Sequence, residues 1–170
     1  MPFPGKDFAG RRCVMILAFT GHRPEKLPWG NDESDPRCAA LKQQILDAVR
    51  QAAGEGYDTF LCGMARGCDT YFAEAVLSLG LRLEAYLPCP SQADRWSEAD
   101  RALQTALLLQ CGAVYMVEPE YTPGCMLRRN QRMVDACDAL LTVYDGSPGG
   151  TGATIDYACR RGKSVTGLWL

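Results

Sequence analysis

Three short segments of this chain set glycine beside residues suited to holding an anion. They are Thr20-Gly21-His22-Arg23-Pro24, Gly63-Met64-Ala65-Arg66-Gly67-Cys68-Asp69, and Asp145-Gly146-Ser147-Pro148-Gly149-Gly150-Thr151-Gly152. Glycine lets a backbone approach a phosphate closely, and a helix starting at such a turn adds unpaired N–H groups and a positive dipole end. Gly149, Gly150, Thr151 and Gly152 form the strongest of these elements. None of the three spells a Walker A loop or a G-x-G-x-x-G fingerprint, so P-loop and standard dinucleotide-enzyme chemistry are not indicated. A single glycine-rich turn need only be a tight connection; three at one sheet edge point to a ligand site.

Other residue types add chemistry around these turns. Arg128 and Arg129 can grip phosphate bidentately, although two arginines on an amphipathic helix also suit a solvated face. Asp156 can orient a ribose hydroxyl or serve as a general acid–base, or it can pair with Arg160 one turn on. His22, the chain's single histidine, has no evident nucleophile beside it and reads first as a packing or hydrogen-bonding residue. Asp69 suits the first turn of a helix, where the dipole alone explains it, with ribose recognition as the alternative. Gln92 and Trp96 are spaced one helical turn apart, and Trp96 can stack on a base or pack in the core.

These residues need a frame, and the frame is legible. Apolar runs at Val14–Phe19, Thr59–Cys62, Leu81–Leu87, Ala113–Val117, Ala139–Tyr144 and Ser164–Trp169 alternate with helical patterns. That alternation predicts right-handed βαβ units: an α/β, Rossmann-like, three-layer α/β/α domain on a mainly parallel sheet of about six strands. One helix opens at Asp35-Pro36 with Leu41, Ile45, Val49 and Ala52 as its stripe. A second runs from about Asp69 to Leu79 with Phe72, Ala73 and Val76 inward. Ser91 with Asp94 resembles a capping box for a third helix through Leu109. A fourth covers Gly124–Cys137 with Met126, Met133, Val134 and Cys137 buried, and a fifth starts near Thr151 and stops at Gly162. In such a sheet the three glycine segments all leave C-terminal strand ends, where ligands bind.

The same segments carry a resemblance. Thr20-Gly21-His22-Arg23-Pro24, the Gly63–Asp69 loop, Gln92 with Trp96, and the run from Tyr121 to Ala158 resemble the YpsA-like branch of the SLOG superfamily of Rossmann-like domains. The stretch Tyr121-Thr-Pro-Gly-Cys-Met-Leu-Arg-Arg-Asn130 is its most specific part. The resemblance implies binding of nucleotides or NAD-derived compounds such as ADP-ribose, with Asn130 and Thr154 joining the glycine-loop residues as ligand contacts. The LOG branch, whose enzymes cleave the N-glycosidic bond of nucleoside monophosphates, is similar through Arg129 to Met133 and Pro148 to Asp156. Two departures stand out: Ala153 replaces the LOG threonine, and Asp156 replaces its catalytic glutamate. A carboxylate one methylene shorter disturbs catalytic geometry, where a misplacement near 1 Å costs about 100-fold. Arg129 and Asp156 are the candidate catalytic pair on that alternative, and binding is the preferred reading. No cofactor is required by either.

Composition sets the remaining bounds. The 170 residues, 47% hydrophobic and 22% charged, fit one soluble domain over 13–170, with Pro, Gly and charge at 1–12 suggesting a loose tail. Net charge is −2 and the isoelectric point about 5.4, which disfavours general nucleic-acid binding and a DprA-like single-strand DNA role. No run approaches the about 18 apolar residues of a membrane span, and His22-Arg23-Pro24 follows the first apolar run where a secretion signal would need a cleavage site. Nine cysteines, an odd number without C-x-x-C, read as buried free thiols in the cytoplasm rather than as disulfides or a metal site. The expected partner is a nucleotide-type small molecule, with no membrane; assembly into a homo-oligomer is left open.

Overall fold

The computed structural model describes residues 13–170, so the expected tail at 1–12 lies outside the described residues. Six strands alternate with five helices. They are β1 (Ile16–Gly21), α1 (Pro36–Gly54), β2 (Thr59–Cys62), α2 (Cys68–Ser78), β3 (Arg82–Leu87), α3 (Glu98–Leu108), β4 (Ala113–Met116), α4 (Cys125–Ala136), β5 (Ala139–Tyr144), α5 (Gly150–Arg160) and β6 (Ser164–Trp169). A 3-10 turn at Pro24–Lys26 interrupts the connection out of β1. All pairings are parallel, in the order β4-β3-β2-β1-β5-β6. The chain therefore walks outward from β1 to one edge, then returns to β1's other side as β5. The order reverses between β1 and β5, and at such a switch point the connecting loops diverge and leave a crevice.

Burial follows the period-two pleat of the strands. Leu17 and Phe19 of β1, Phe60 of β2, Leu83 of β3 and Leu141 of β5 face α1 and α2, together with Leu41, Ile45, Phe72 and Val76. Phe19 stacks on Phe72 at 4.5 Å. The alternate residues Ala18, Leu61 and Leu140 meet Met133, Val134 and Ala158 on the opposite face. The central strands β1, β2 and β5 are thus covered on both sides, which their nearly continuous apolar sequences require, while the edge strands β4 and β6 are largely exposed.

Three expectations need correction. β1 starts later and ends later than 14–19, so Thr20 and Gly21 belong to the strand. The third helix does not begin at Ser91: residues 91–96 form successive turns, with Gln92, Asp94 and Trp96 amides bonded three residues back. The actual cap is Ser97, whose side chain accepts from the Asp100 amide. On α4 the buried residues are Cys125, Arg129, Met133 and Val134, whereas Met126 is only partly buried.

Candidate functional site

The crevice between β1 and β5 is a cleft of about 620 Å³. Its wall comes from the end of β1 and the following turn (Thr20, Gly21, His22, Arg23, Glu25, Lys26), from Ala65 and Asp69, from α4 (Met126, Arg129, Asn130), and from Gly149, Gly150, Thr151 and Ala153. Two helices point their N-termini at it. The N-cap of α5 is Gly149 and that of α4 is Gly124, so neither helix carries a side-chain cap. The first backbone bond of α5 runs from the Ala153 amide to the Gly149 carbonyl, so the amides ahead of Ala153 have no partner within the helix. Uncapped N–H groups at a helix N-terminus form an anion site.

Lys26 completes it. Its Nζ donates to Ser147 Oγ at 3.1 Å and to the Pro148 carbonyl at 2.5 Å, which hangs the ammonium over the turn into α5. Gly149 has φ +149°, and a Cβ there would sit 2.7 Å from Lys26 Nζ. Glycine is therefore needed for the backbone conformation and for the close approach of the amine. Arg23, exposed at the same mouth, adds a second cation. The sequence offered no glycine, spacing or helix pattern that would single out Lys26, since its partners lie 121 and 122 residues away.

Below the mouth lies a polar floor. His22 is 2% exposed, and its Nε2 is 2.7 Å from Asp145 Oδ1. The Asp145 amide approaches the same nitrogen at 3.2 Å, but the shorter contact needs a proton on Nε2, so we assign that tautomer from the network. Bonds from Ser147, then that of His22, hold the Asp145 carboxyl well below the usual carboxylate range. His22 thus has a partner that adjacency in sequence did not reveal.

Arg129 is the largest departure from the sequence reading. It is 3% exposed, and its guanidinium donates to the Gly63 carbonyl, to the Tyr86 carbonyl at 3.2 Å and to Asn130 Oδ1 at 2.7 Å. Burial pushes its pKa down, opposed chiefly by the charge of Asp69. Asp69 is itself 6% exposed; burial pushes its pKa up, opposed first by Arg129 and then by the bond from the Ala65 amide. The two compensate each other's desolvation at the base of the cleft. The spacing Met126, Arg129, Met133 sets Arg129 in the apolar stripe of its helix, a signal that it turns inward.

The other candidates divide. Asn130 Nδ2 donates to Thr154 Oγ1 at 2.9 Å, and Thr154 Oγ1 to the Gly150 carbonyl at 2.7 Å, so this pair joins α4 to the start of α5. Gly63 lies behind the cleft, where it makes room for Arg129. Met64 and Gly67 border a second cleft of about 400 Å³ beside the first, and so does Trp96. Gln92 lines neither; its amide bonds the Gly63 carbonyl at 3.1 Å and accepts from Gln104. Arg128 turns away to Glu118, Thr122 and the Pro123 carbonyl. Asp156 is exposed on α5 outside the cleft lining. Arg160 lies not on Asp156 but over the Tyr157 ring at 5.9 Å.

Comparison with known proteins agrees with this frame. A UPF0398 protein of Bacillus pumilus is 26% identical over 146 residues, covering 79% of this chain and 78% of the relative. The structure of TM1055 superposes with a TM-score of 0.60 at 15% identity, over 89% of this chain and 72% of that one. DNA processing protein A of Helicobacter pylori, described with a single-stranded DNA binding mode, superposes at 0.65 and 18% identity over 91% of this chain and 65% of its own. At such identities the two structures show a shared fold. The family model of the YspA SLOG family matches residues 17–163, from β1 to the end of the turn after α5, and the chain belongs to that family.

Proposed function

We propose that this domain binds a nucleotide or NAD-derived ligand, such as ADP-ribose, in the cleft between β1 and β5 and acts as a sensor or binding domain. The observation that carries this reading is the uncapped start of α5 at Gly149-Gly150 with Lys26 Nζ above it. Amide donors, a helix dipole and an ammonium converging on one point suit a phosphate. Arg23 and Lys26 at the mouth outnumber Glu25 there, which favours an anion further. The floor of His22 and Asn130 offers polar groups for a ribose. Binding rather than glycosidic cleavage is favoured because Asp156, the LOG-like carboxylate, stands outside this lining.

Thermal unfolding and calorimetry with ADP-ribose, NAD, AMP and cyclic nucleotides test the proposal. Selective binding raises the melting temperature in proportion to the logarithm of ligand concentration. We expect stabilisation by at least one of these compounds and no adenine released from AMP after long incubation. Absence of binding by all of them overturns the reading. Turnover in the ordinary range of about 1–10³ s⁻¹, lost in Asp156→Asn, makes the domain a hydrolase instead. A single-stranded oligodeoxynucleotide belongs in the same panel, and tight binding of it with none to nucleotides favours a DNA role.

A further inference from the structure

The loops that wall the first cleft have another side. Gly67, at φ +84°, brings the 65–67 loop so close to the turn after β1 that a Cβ there would lie 2.9 Å from both the His22 carbonyl and Pro24 Cδ. Beside this contact opens the second cleft of about 400 Å³, within the range of about 300–1,000 Å³ typical of small-molecule sites. Its aromatic residues are the buried Tyr71 and the more accessible Trp96. The turns over residues 91–96 set that ring, and Gln92 anchors them to the Gly63 carbonyl. Arg66 holds its guanidinium carbon 6.0 Å from the centre of the indole while pairing with Glu25 and, at 3.8 Å, with Asp100. Arg95 lines the same cleft and makes no hydrogen bond or ion pair among the described residues.

The lining determines the kind of ligand. Arg66 and Arg95 are matched by Glu33 and Asp100, so the cleft has no excess charge to attract a bare anion. A flat, neutral, polar ring fits the combination: stacking against an indole whose other face carries the Arg66 guanidinium is tolerant of which ring it is, while Arg95 can donate to ring nitrogen or oxygen. We propose that this second cleft binds a nucleobase, carried by a ligand of nucleoside size and stacked on Trp96. The site uses none of the groups at the start of α5, so it stands or falls separately from the phosphate reading.

Calorimetric titration of the full chain with adenosine, guanosine, cytidine and uridine tests this, with a six-nucleotide oligodeoxyadenylate alongside. At least one nucleoside should bind and quench tryptophan fluorescence saturably. Trp96→Ala should weaken that nucleoside by about tenfold or more, and Arg95→Ala, on an exposed side chain whose loss leaves the fold alone, by about fivefold. Gly150→Val, altered in the first cleft, should change it less than twofold. The proposal is overturned if no nucleoside binds below millimolar concentration, or if affinity survives both Trp96→Ala and Arg95→Ala. It is equally overturned if Gly150→Val abolishes the binding, or if only the oligonucleotide binds in a Trp96-dependent way.

Discussion

Arg129 passes against the bare backbone of Gly63: a Cβ at position 63 would lie 2.6 Å from the guanidinium carbon, and the guanidinium donates to that same residue's carbonyl. The arginine cannot yield easily, because it also serves Tyr86 and Asn130 and offsets the charge of Asp69. Gly63→Ala should therefore destabilise the domain by about 1–3 kcal/mol, the usual cost of overpacking. Urea unfolding followed by circular dichroism measures it; a change below about 0.5 kcal/mol means the arginine has room to move.

Gly150 is the opposite case. A Cβ there meets nothing within 4 Å, so Gly150→Val should fold with wild-type stability while its side chain obstructs approach to the α5 amides. ADP-ribose or AMP binding, whichever the wild type shows, should fall by at least tenfold in calorimetry.

Lys26→Met keeps most of the aliphatic stem and removes the ammonium. Its Nζ bonds are exposed, so the effect on stability should stay within about 0.5 kcal/mol. Affinity for a phosphate-bearing ligand should drop about tenfold, and the salt dependence of binding should become shallower. Unchanged affinity in low salt would remove the ammonium from the anion site.

Asp145 provides a pH signature. Its folded-state pKa is depressed by Ser147 and His22, so it contributes stability in full above the ordinary aspartate value of about 3.9. The contribution is lost as pH falls from there through the folded-state value. Thermal unfolding from pH 7 to pH 3 should accordingly show wild type more stable than Asp145→Asn by a constant margin down to about pH 5, and by a shrinking margin below pH 4. A gap that widens with acid refutes the assignment.

All nine cysteines are free, with Cys13 and Cys159 exposed. Burial pushes the Cys137 thiol up to about 11 and that of Cys111 to about 11, which suppresses the reactive thiolate. A thiol reagent at pH 8 should label Cys13 and Cys159 quickly, the partly exposed Cys111 slowly, and the six buried thiols only on denaturation. A total of seven or fewer without reductant would reveal a disulfide.

How much of this the amino-acid sequence disclosed depends on whether the signal was local. Thr59–Cys62 and Ala139–Tyr144 are mostly apolar, Ser164–Trp169 carries β-branched and aromatic residues, and all three became strands at those bounds. Asp35-Pro36 capped α1 as its chemistry required, with the Asp35 side chain accepting from the Arg37 amide. The start of α3 was misread because Ser91-x-x-Asp94 and Ser97-x-x-Asp100 have the same pattern. The bond that Gln92 donates to the Gly63 carbonyl and the one it accepts from Gln104 hold the first copy in turns. Lys26 and the His22–Asp145 pair depend on which loops meet across the sheet, and no local spacing encodes that, whereas Arg128 turns back to Glu118 within the connection from β4 to α4.

The placement of β1 between β2 and β5 has a consequence for synthesis on the ribosome. β1 emerges early and can pair with β2 as soon as Thr59–Cys62 follows, but its other flank belongs to β5, where Leu17 is opposite Ala139. Until most of the chain has been translated, the strand destined for the middle of the sheet has an open edge, with Leu17, Ala18 and Phe19 lacking part of their cover. Such an edge invites wrong pairing. The cleft cannot form in that interval either, since half of its wall comes from α4 and α5, so a ligand of the cleft can stabilise only the finished domain and cannot protect the nascent one.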